Sequence, residues 1–112
     1  MVRPRSEHLE QAMFVRHVRV TRPDVIIHSI PNGGARRPSE ALRLKLEGAL
    51  PGTPDLFIAE PSGEWHGFYV EMKRSAGGSV SKEQRELIRR LVMKGYRAEV
   101  CKGLDKAVYA WE

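Results

Sequence analysis

Gly52-Thr53-Pro54-Asp55-Leu56-Phe57-Ile58 and Phe68-Tyr69-Val70-Glu71-Met72-Lys73 decide the reading of this chain. Each segment has the apolar, aromatic and β-branched content of a strand. Side chains alternate faces along a strand, so Glu71 and Lys73 point one way while Val70 and Met72 point the other. Asp55 and Glu71 stand sixteen residues apart, a spacing that suits two paired strands and their turn. Paired as a hairpin, the strands bring two carboxylates and an ammonium to one spot. Like charges at that distance repel unless a cation lies between them. The constellation therefore points to a divalent metal with a lysine beside it, which is equipment for phosphodiester hydrolysis. A surface ion pair is the competing reading of Glu-x-Lys alone. The apolar Phe68-Tyr69-Val70 run argues for a central strand, where charges need a reason to be.

The hard carboxylate oxygens suit Mg²⁺ or Mn²⁺ better than Zn²⁺. Asp55 and Glu71 are the expected ligands, with the main-chain carbonyl of Met72 and waters completing the shell. Lys73 is expected to position or deprotonate the attacking water, or to stabilise the pentavalent transition state.

Working outward, Ser6 to Val20 reads as a helix with Ser6 as N-cap and Glu7 and Glu10 in its first turns, where the dipole favours negative charge. Its apolar residues lie on more than one face, so it is expected to be covered on two sides. Val25 to Ile30 reads as a buried first strand, and Ser39 to Glu47 as a short helix. The hairpin strands run from Asp55 to Glu60 and from Gly67 to Lys73. Ser81 to Lys94 is the clearest helix, stopped by Gly95. Arg97 to Cys101 is a fourth strand and Leu104 to Trp111 a closing helix. A helical crossover between the third and fourth strands favours parallel pairing there, and the hairpin is antiparallel. The fold class is α/β: a mixed sheet flanked by helices, in one domain spanning 1–112.

Gln84 has two readings. Ser81-Lys82-Glu83-Gln84 is a capping box, yet Gln84 also lies on the inward stripe one turn before Leu87 and Ile88, within reach of the strand ends. Glu7 shares a helical stripe with Gln11, Phe14 and Val18 and can finish at the site. Glu10 faces elsewhere and is its competitor.

Net charge is +5 and the sequence pI about 9.7, a balance that suits a polyanionic partner. Asn32-Gly33-Gly34-Ala35-Arg36-Arg37 offers backbone N–H groups and guanidinium forks for phosphate. It lacks the spacing of a nucleotide-binding P-loop. Asn32, Arg36, Arg37 and Arg74 are the expected DNA contacts. The basic face of the strong helix reads first as solvated and second as a DNA track. One cysteine, Cys101, excludes an internal disulfide and a cysteine-based zinc site. The four histidines show no metal spacing. No signal peptide and no membrane-length apolar run is evident, so a cytoplasmic location in a bacterial or phage-infected cell is expected.

Gly52-Thr53-Pro54-Asp55, Val70-Glu71-Met72-Lys73 and Ser81-Lys82-Glu83-Gln84 together resemble the PD-(D/E)xK nucleases. More narrowly they resemble the VRR-NUC domain in its minimal stand-alone form. Ser6-Glu7-His8-Leu9-Glu10-Gln11, Ile30-Pro31-Asn32-Gly33-Gly34 with Arg36-Arg37, Leu44-Lys45-Leu46-Glu47-Gly48 and Lys94-Gly95-Tyr96 extend the likeness from about Ser6 to Tyr109. The resemblance implies a restriction-endonuclease-like fold, with Asp55 and Glu71 on the metal, Lys73 as catalytic lysine and Gln84 as the family's glutamine. Glu7 would be the first-helix glutamate, because Glu7 and Gln11 match the family's Glu-x-x-x-Gln spacing. It also implies a homodimeric Holliday-junction resolvase. A two-fold symmetric junction cut on two strands suits an isologous dimer with two sites. The rival readings are an endonuclease of other branched or duplex DNA, a non-catalytic DNA-binding module, and a small RNA-binding protein. The last calls for stacking aromatics on an exposed sheet, which 7% aromatic content makes a poor fit.

Overall fold

The four strands form one sheet in the order β1-β2-β3-β4, in a computed structural model that describes residues 5–31 and 37–112. β2 (Leu56–Ile58) and β3 (Phe68–Lys73) are the expected antiparallel hairpin, with Leu56 opposite Val70 and Ile58 opposite Phe68. β1 (Ile27–Ser29) pairs antiparallel with β2 on the outer side. β4 (Arg97–Lys102) lies parallel to β3, and the helix between them supplies the crossover that parallel pairing requires.

Strand alternation divides the chemistry between the two faces. Ile27, Leu56, Ile58, Phe68, Val70 and Met72 are buried on one face. They pack with Phe14 and Val18 of α1 (Glu7–Thr21) and Ala107 of α4 (Leu104–Trp111). Phe57, Tyr69, Glu71 and Lys73 belong to the opposite face. There α3 (Lys82–Met93) packs on β4. The apolar core thus lies on one side of the sheet and the polar residues that matter lie on the other.

Helix α1 begins as expected, with Ser6 Oγ accepting the Leu9 N–H at 3.1 Å. It buries a single stripe, Glu10, Phe14 and Val18, whereas Leu9 and Val20 are exposed, so it is not covered on two sides. The first strand is shorter than the apolar run Val25 to Ile30. It is an edge strand with one solvated face: Val25 and Ile27 enter the core while Ile26 is 64% exposed. Helix α2 (Pro38–Leu46) starts one residue early because Pro38 suits the first turn, where no N–H is needed. It buries none of its residues, and Leu46 is 79% exposed. No helix among the described residues is long and apolar enough to cross a membrane.

Candidate active site

β2 delivers Asp55 at its start and β3 delivers Glu71 and Lys73 at its end. One step beyond the Leu56–Val70 pair, Asp55 lies across from Glu71 on the face away from the core. Asp55 Oδ2 accepts the Met72 N–H at 2.8 Å, and the Asp55 carbonyl accepts the Ile30 N–H at 2.7 Å. The residue is therefore tied to both neighbouring strands by its own backbone and side chain. Lys73 Nζ stands 3.2 Å from Glu71 Oε2.

Gln84 resolves its two readings by serving both. Its Oε1 accepts the Ser81 N–H at 2.9 Å and its N–H donates to Ser81 Oγ at 3.1 Å, which completes the capping box. Its Nε2 donates to Glu71 Oε2 at 2.7 Å. One amide thus caps α3 with its oxygen and fixes a carboxylate with its nitrogen. Here it touches Glu71 and not Lys73.

Glu71 is 3% exposed, and its Oε1 is buried without a hydrogen-bond partner. Burial, together with the neighbouring Asp55 charge, raises its pKa to about 7, against the lowering effect of Lys73; Glu7 adds a further raising field. Asp55 is also raised, chiefly by burial, while the Met72 N–H and Lys73 pull it down. A buried carboxylate with one unsatisfied oxygen, next to a second carboxylate, is a costly arrangement for the bare protein. A hard divalent cation would relieve it. Among the described residues no group of three or more His, Cys, Asp or Glu side chains is placed to hold a metal. The donor set is a carboxylate pair, which suits a cation such as Mg²⁺ that keeps several waters.

Glu7, half-buried in the first turn of α1, adds only the smallest of the raising influences on Glu71. Glu10 is the surprise: it is 1% exposed, with Arg5 Nε 3.4 Å from Oε1 and no partner on Oε2. It packs beside Gly103, where the end of β3 meets the start of α4. Its place on the Phe14–Val18 stripe was the available signal. Arg37 and Arg74 are exposed, Arg74 directly after Lys73. Asn32 and Arg36 lie outside the described residues. Cys101 is buried and its thiol is pushed up to about 11 by burial, as suits a packing residue and not a nucleophile.

Gly52 explains how the Gly52-Thr53-Pro54-Asp55 segment reaches the site. Its φ is +91°, and a Cβ would lie 2.8 Å from the Glu83 carbonyl oxygen in the first turn of α3. Both the conformation and the approach to backbone demand glycine. Gly52→Ala is expected to cost about 1–3 kcal/mol, read as a lower denaturation midpoint. An unchanged midpoint would contradict the packing described.

The metal-free protein has a testable pH signature. Both carboxylates bind a proton more tightly folded than unfolded, so the folded state holds the extra proton as pH rises past the unfolded values. The stability contribution of Glu71 therefore falls between about pH 4.5 and about pH 7 and is level above that. In EDTA, Glu71→Gln is expected to gain stability relative to the parent chain across this window. A difference that stays constant with pH would sink the assignment.

The sequence matches the VRR-NUC domain family over residues 3–105. The chain belongs to that family, and so to the nuclease-type, DNA-acting domains that hydrolyse phosphodiesters. A solved structure described as a VRR_NUC domain protein is 27% identical, with a TM-score of 0.83 over 98% of this chain and 88% of that one. Another, described as a VRR_NUC domain, is 14% identical, with a TM-score of 0.62 over 96% of each chain; it supports the fold alone. No protein of curated function matches the chain significantly.

Proposed function

We propose that the chain is a metal-dependent, structure-specific DNA endonuclease of the PD-(D/E)xK type that resolves four-way junctions as a homodimer. The observation that carries the reading is the buried, unpartnered Glu71 Oε1 beside Asp55, with Lys73 and Gln84 on the other oxygen.

Asp55 and Glu71 would hold Mg²⁺ or Mn²⁺, with the Met72 carbonyl as a further donor and Glu7 at the margin. Bound there, the cation supplies charge neutralisation at the phosphate and acidifies water. Gln84 fixes the orientation of Glu71 and so acts as a positioning residue. Lys73 brings an ammonium to the same edge, where it can orient water or meet the charge that develops on phosphate. Arg37 and Arg74 are proposed phosphate contacts, together with Asn32 and Arg36. Such contacts set register and affinity without reading sequence. A junction specificity would then rest on shape.

Dimerisation is supported by symmetry and by surface. A junction cut on two strands needs two sites related by a two-fold axis. Leu42, Leu46 and Leu50 leave apolar area exposed in and after α2. The test is a labelled panel of four-way junction, flap, fork, duplex and single strand in Mg²⁺, Mn²⁺ and EDTA, with sedimentation of the free protein. Paired symmetric nicks on the junction by a dimer are the expected result. Metal-dependent cutting that favours flaps or plain duplex removes the junction claim and keeps the chemistry.

A further inference from the structure

On the same sheet face as the carboxylate pair lies a run of five rings. Phe57 and Tyr69 meet at 4.5 Å between centroids, and Tyr96 stands 5.5 Å from Tyr69 and 6.1 Å from Phe57. His28 extends the run at 6.0 Å from Phe57, and His66 at 5.5 Å from Tyr96. Phe57 is two residues along β2 from Asp55, and Tyr69 two residues along β3 from Glu71. At the rise of a strand, the rings begin about 7 Å from the carboxylates.

Among the described residues the run is left open on the β1 and β2 side. Helix α3 packs on β4, and no helix among the described residues packs closely on β1 or β2 on this face. His28 and His66 are exposed, and the three aromatic rings are half-buried. Neither phenol has a hydrogen-bond partner among the described residues, and neither is a buried orphan, so both reach solvent. Two glycines fix the ring positions. A Cβ at Gly67 would sit 2.8 Å from Phe57 Cζ, and one at Gly95 would sit 2.6 Å from the His66 ring, where φ is +93°. His66 is further anchored by donating its N–H to the Gly95 carbonyl at 2.9 Å.

We propose that this face is a stacking platform for unpaired bases of the DNA strand that enters the site. The occupant follows from three features. The platform is continuous with the carboxylate pair, so a strand whose phosphate sits at Glu71 carries its neighbouring bases onto Tyr69 and Phe57. Phe57 and Tyr69 tilt by 38° and Tyr96 stands at 73° to Tyr69, so each half-buried ring is a separate partner for the π-face of a nucleobase, and such stacking is indifferent to sequence. The end of the run carries an exposed cation: Lys94 precedes the Gly95 that packs on His66. The proposal rests on the nuclease reading and deepens it. The favoured substrate exposes unpaired or splayed bases next to the cut, as a branch point does.

The test is binding in EDTA, which keeps cutting out of the readout. The probes are a fork with thymine arms and one 2-aminopurine beside the branch, and the same duplex without arms. The 2-aminopurine is expected to be quenched on the parent chain. Tyr69→Leu and Tyr96→Leu are each expected to lose about tenfold in fork affinity and to bind the blunt duplex as the parent does. Tyr69→Phe and Tyr96→Phe keep the ring and are expected to behave as the parent. A loss confined to the fork, with duplex binding kept, is not produced by misfolding. His66→Ala, at the exposed end of the run, carries the test if a leucine variant does not fold, with a several-fold loss on the fork alone. Equal loss on fork and duplex, or no loss on the fork, overturns the platform. Conversion from dimer to monomer at unchanged fork affinity overturns it too and assigns the face to a second copy of the chain. A parent chain that shows ring-dependent quenching but never cuts overturns the nuclease reading and leaves the platform standing.

Discussion

Lys73→Ala is expected to cut DNA at least about a hundredfold more slowly than the parent chain, the loss typical of removing one group that stabilises developing charge. The Lys73 ammonium stands 3.2 Å from Glu71 Oε2 and its side chain is largely buried, so its position is held by packing as well as by charge. Removing it also leaves Glu71 with Gln84 as the partner of that oxygen, and the carboxyl moves further up from its value near 7 because the lowering effect of Lys73 is gone. The loss is that of the ammonium itself, because a carboxylate pair without it is more negative and holds a cation no less tightly. Single-turnover rates are therefore expected to stay low at saturating Mg²⁺. Junction binding is expected to survive. Undiminished cutting would remove Lys73 from the mechanism.

Asp55→Asn is expected to abolish metal-dependent cleavage, by about two to three orders of magnitude, while leaving the fold in place. Asp55 does two jobs. Its charge opposes that of Glu71 across the hairpin, and its Oδ2 accepts the Met72 N–H at 2.8 Å. Asparagine retains the acceptor and drops the charge. Alanine drops both and leaves the Met72 N–H without a partner, at a cost of about 1–3 kcal/mol. The asparagine variant is therefore expected to exceed the parent's denaturation midpoint in EDTA at neutral pH, because a buried charge is removed, and to lose the stabilisation by millimolar Mg²⁺ that the parent shows by mass action. The alanine variant is expected to fall below both. An asparagine variant that still gains stability with Mg²⁺ would move the cation away from Asp55.

The parts of this fold that were legible in the sequence are those set by local periodicity. The Phe68–Lys73 strand announces itself by alternation, and α3 by its capping box and its glycine stop. Hairpin spacing was enough to bring Asp55 to Glu71, since a register of pairs follows once two strands and a turn are identified. Gln84 stayed open for a chemical reason. An amide has a donor and an acceptor, so the cap and the carboxylate contact are compatible, and spacing cannot choose between them. The first strand was overdrawn because an apolar run does not say which of its residues face solvent on an edge. Glu10 was read as facing away from the Phe14–Val18 stripe, but it is buried on that stripe, beside the Gly103 that the β4–α4 turn brings from the far end of the chain. The aromatic face is the same kind of case. Phe57 and Tyr69 sit in runs that read as central strands and Tyr96 follows a helix stop, and only the sheet order shows the three side by side.

The central claim is that Asp55 and Glu71 make a cation-dependent site for cutting DNA. It is tested most directly by incubating the parent chain and Glu71→Gln with a labelled four-way junction in Mg²⁺, Mn²⁺ and EDTA. The account predicts cleavage by the parent in metal, none in EDTA, and none by Glu71→Gln under any condition. Cleavage by Glu71→Gln at the parent's rate, or cleavage by the parent in EDTA, would contradict it.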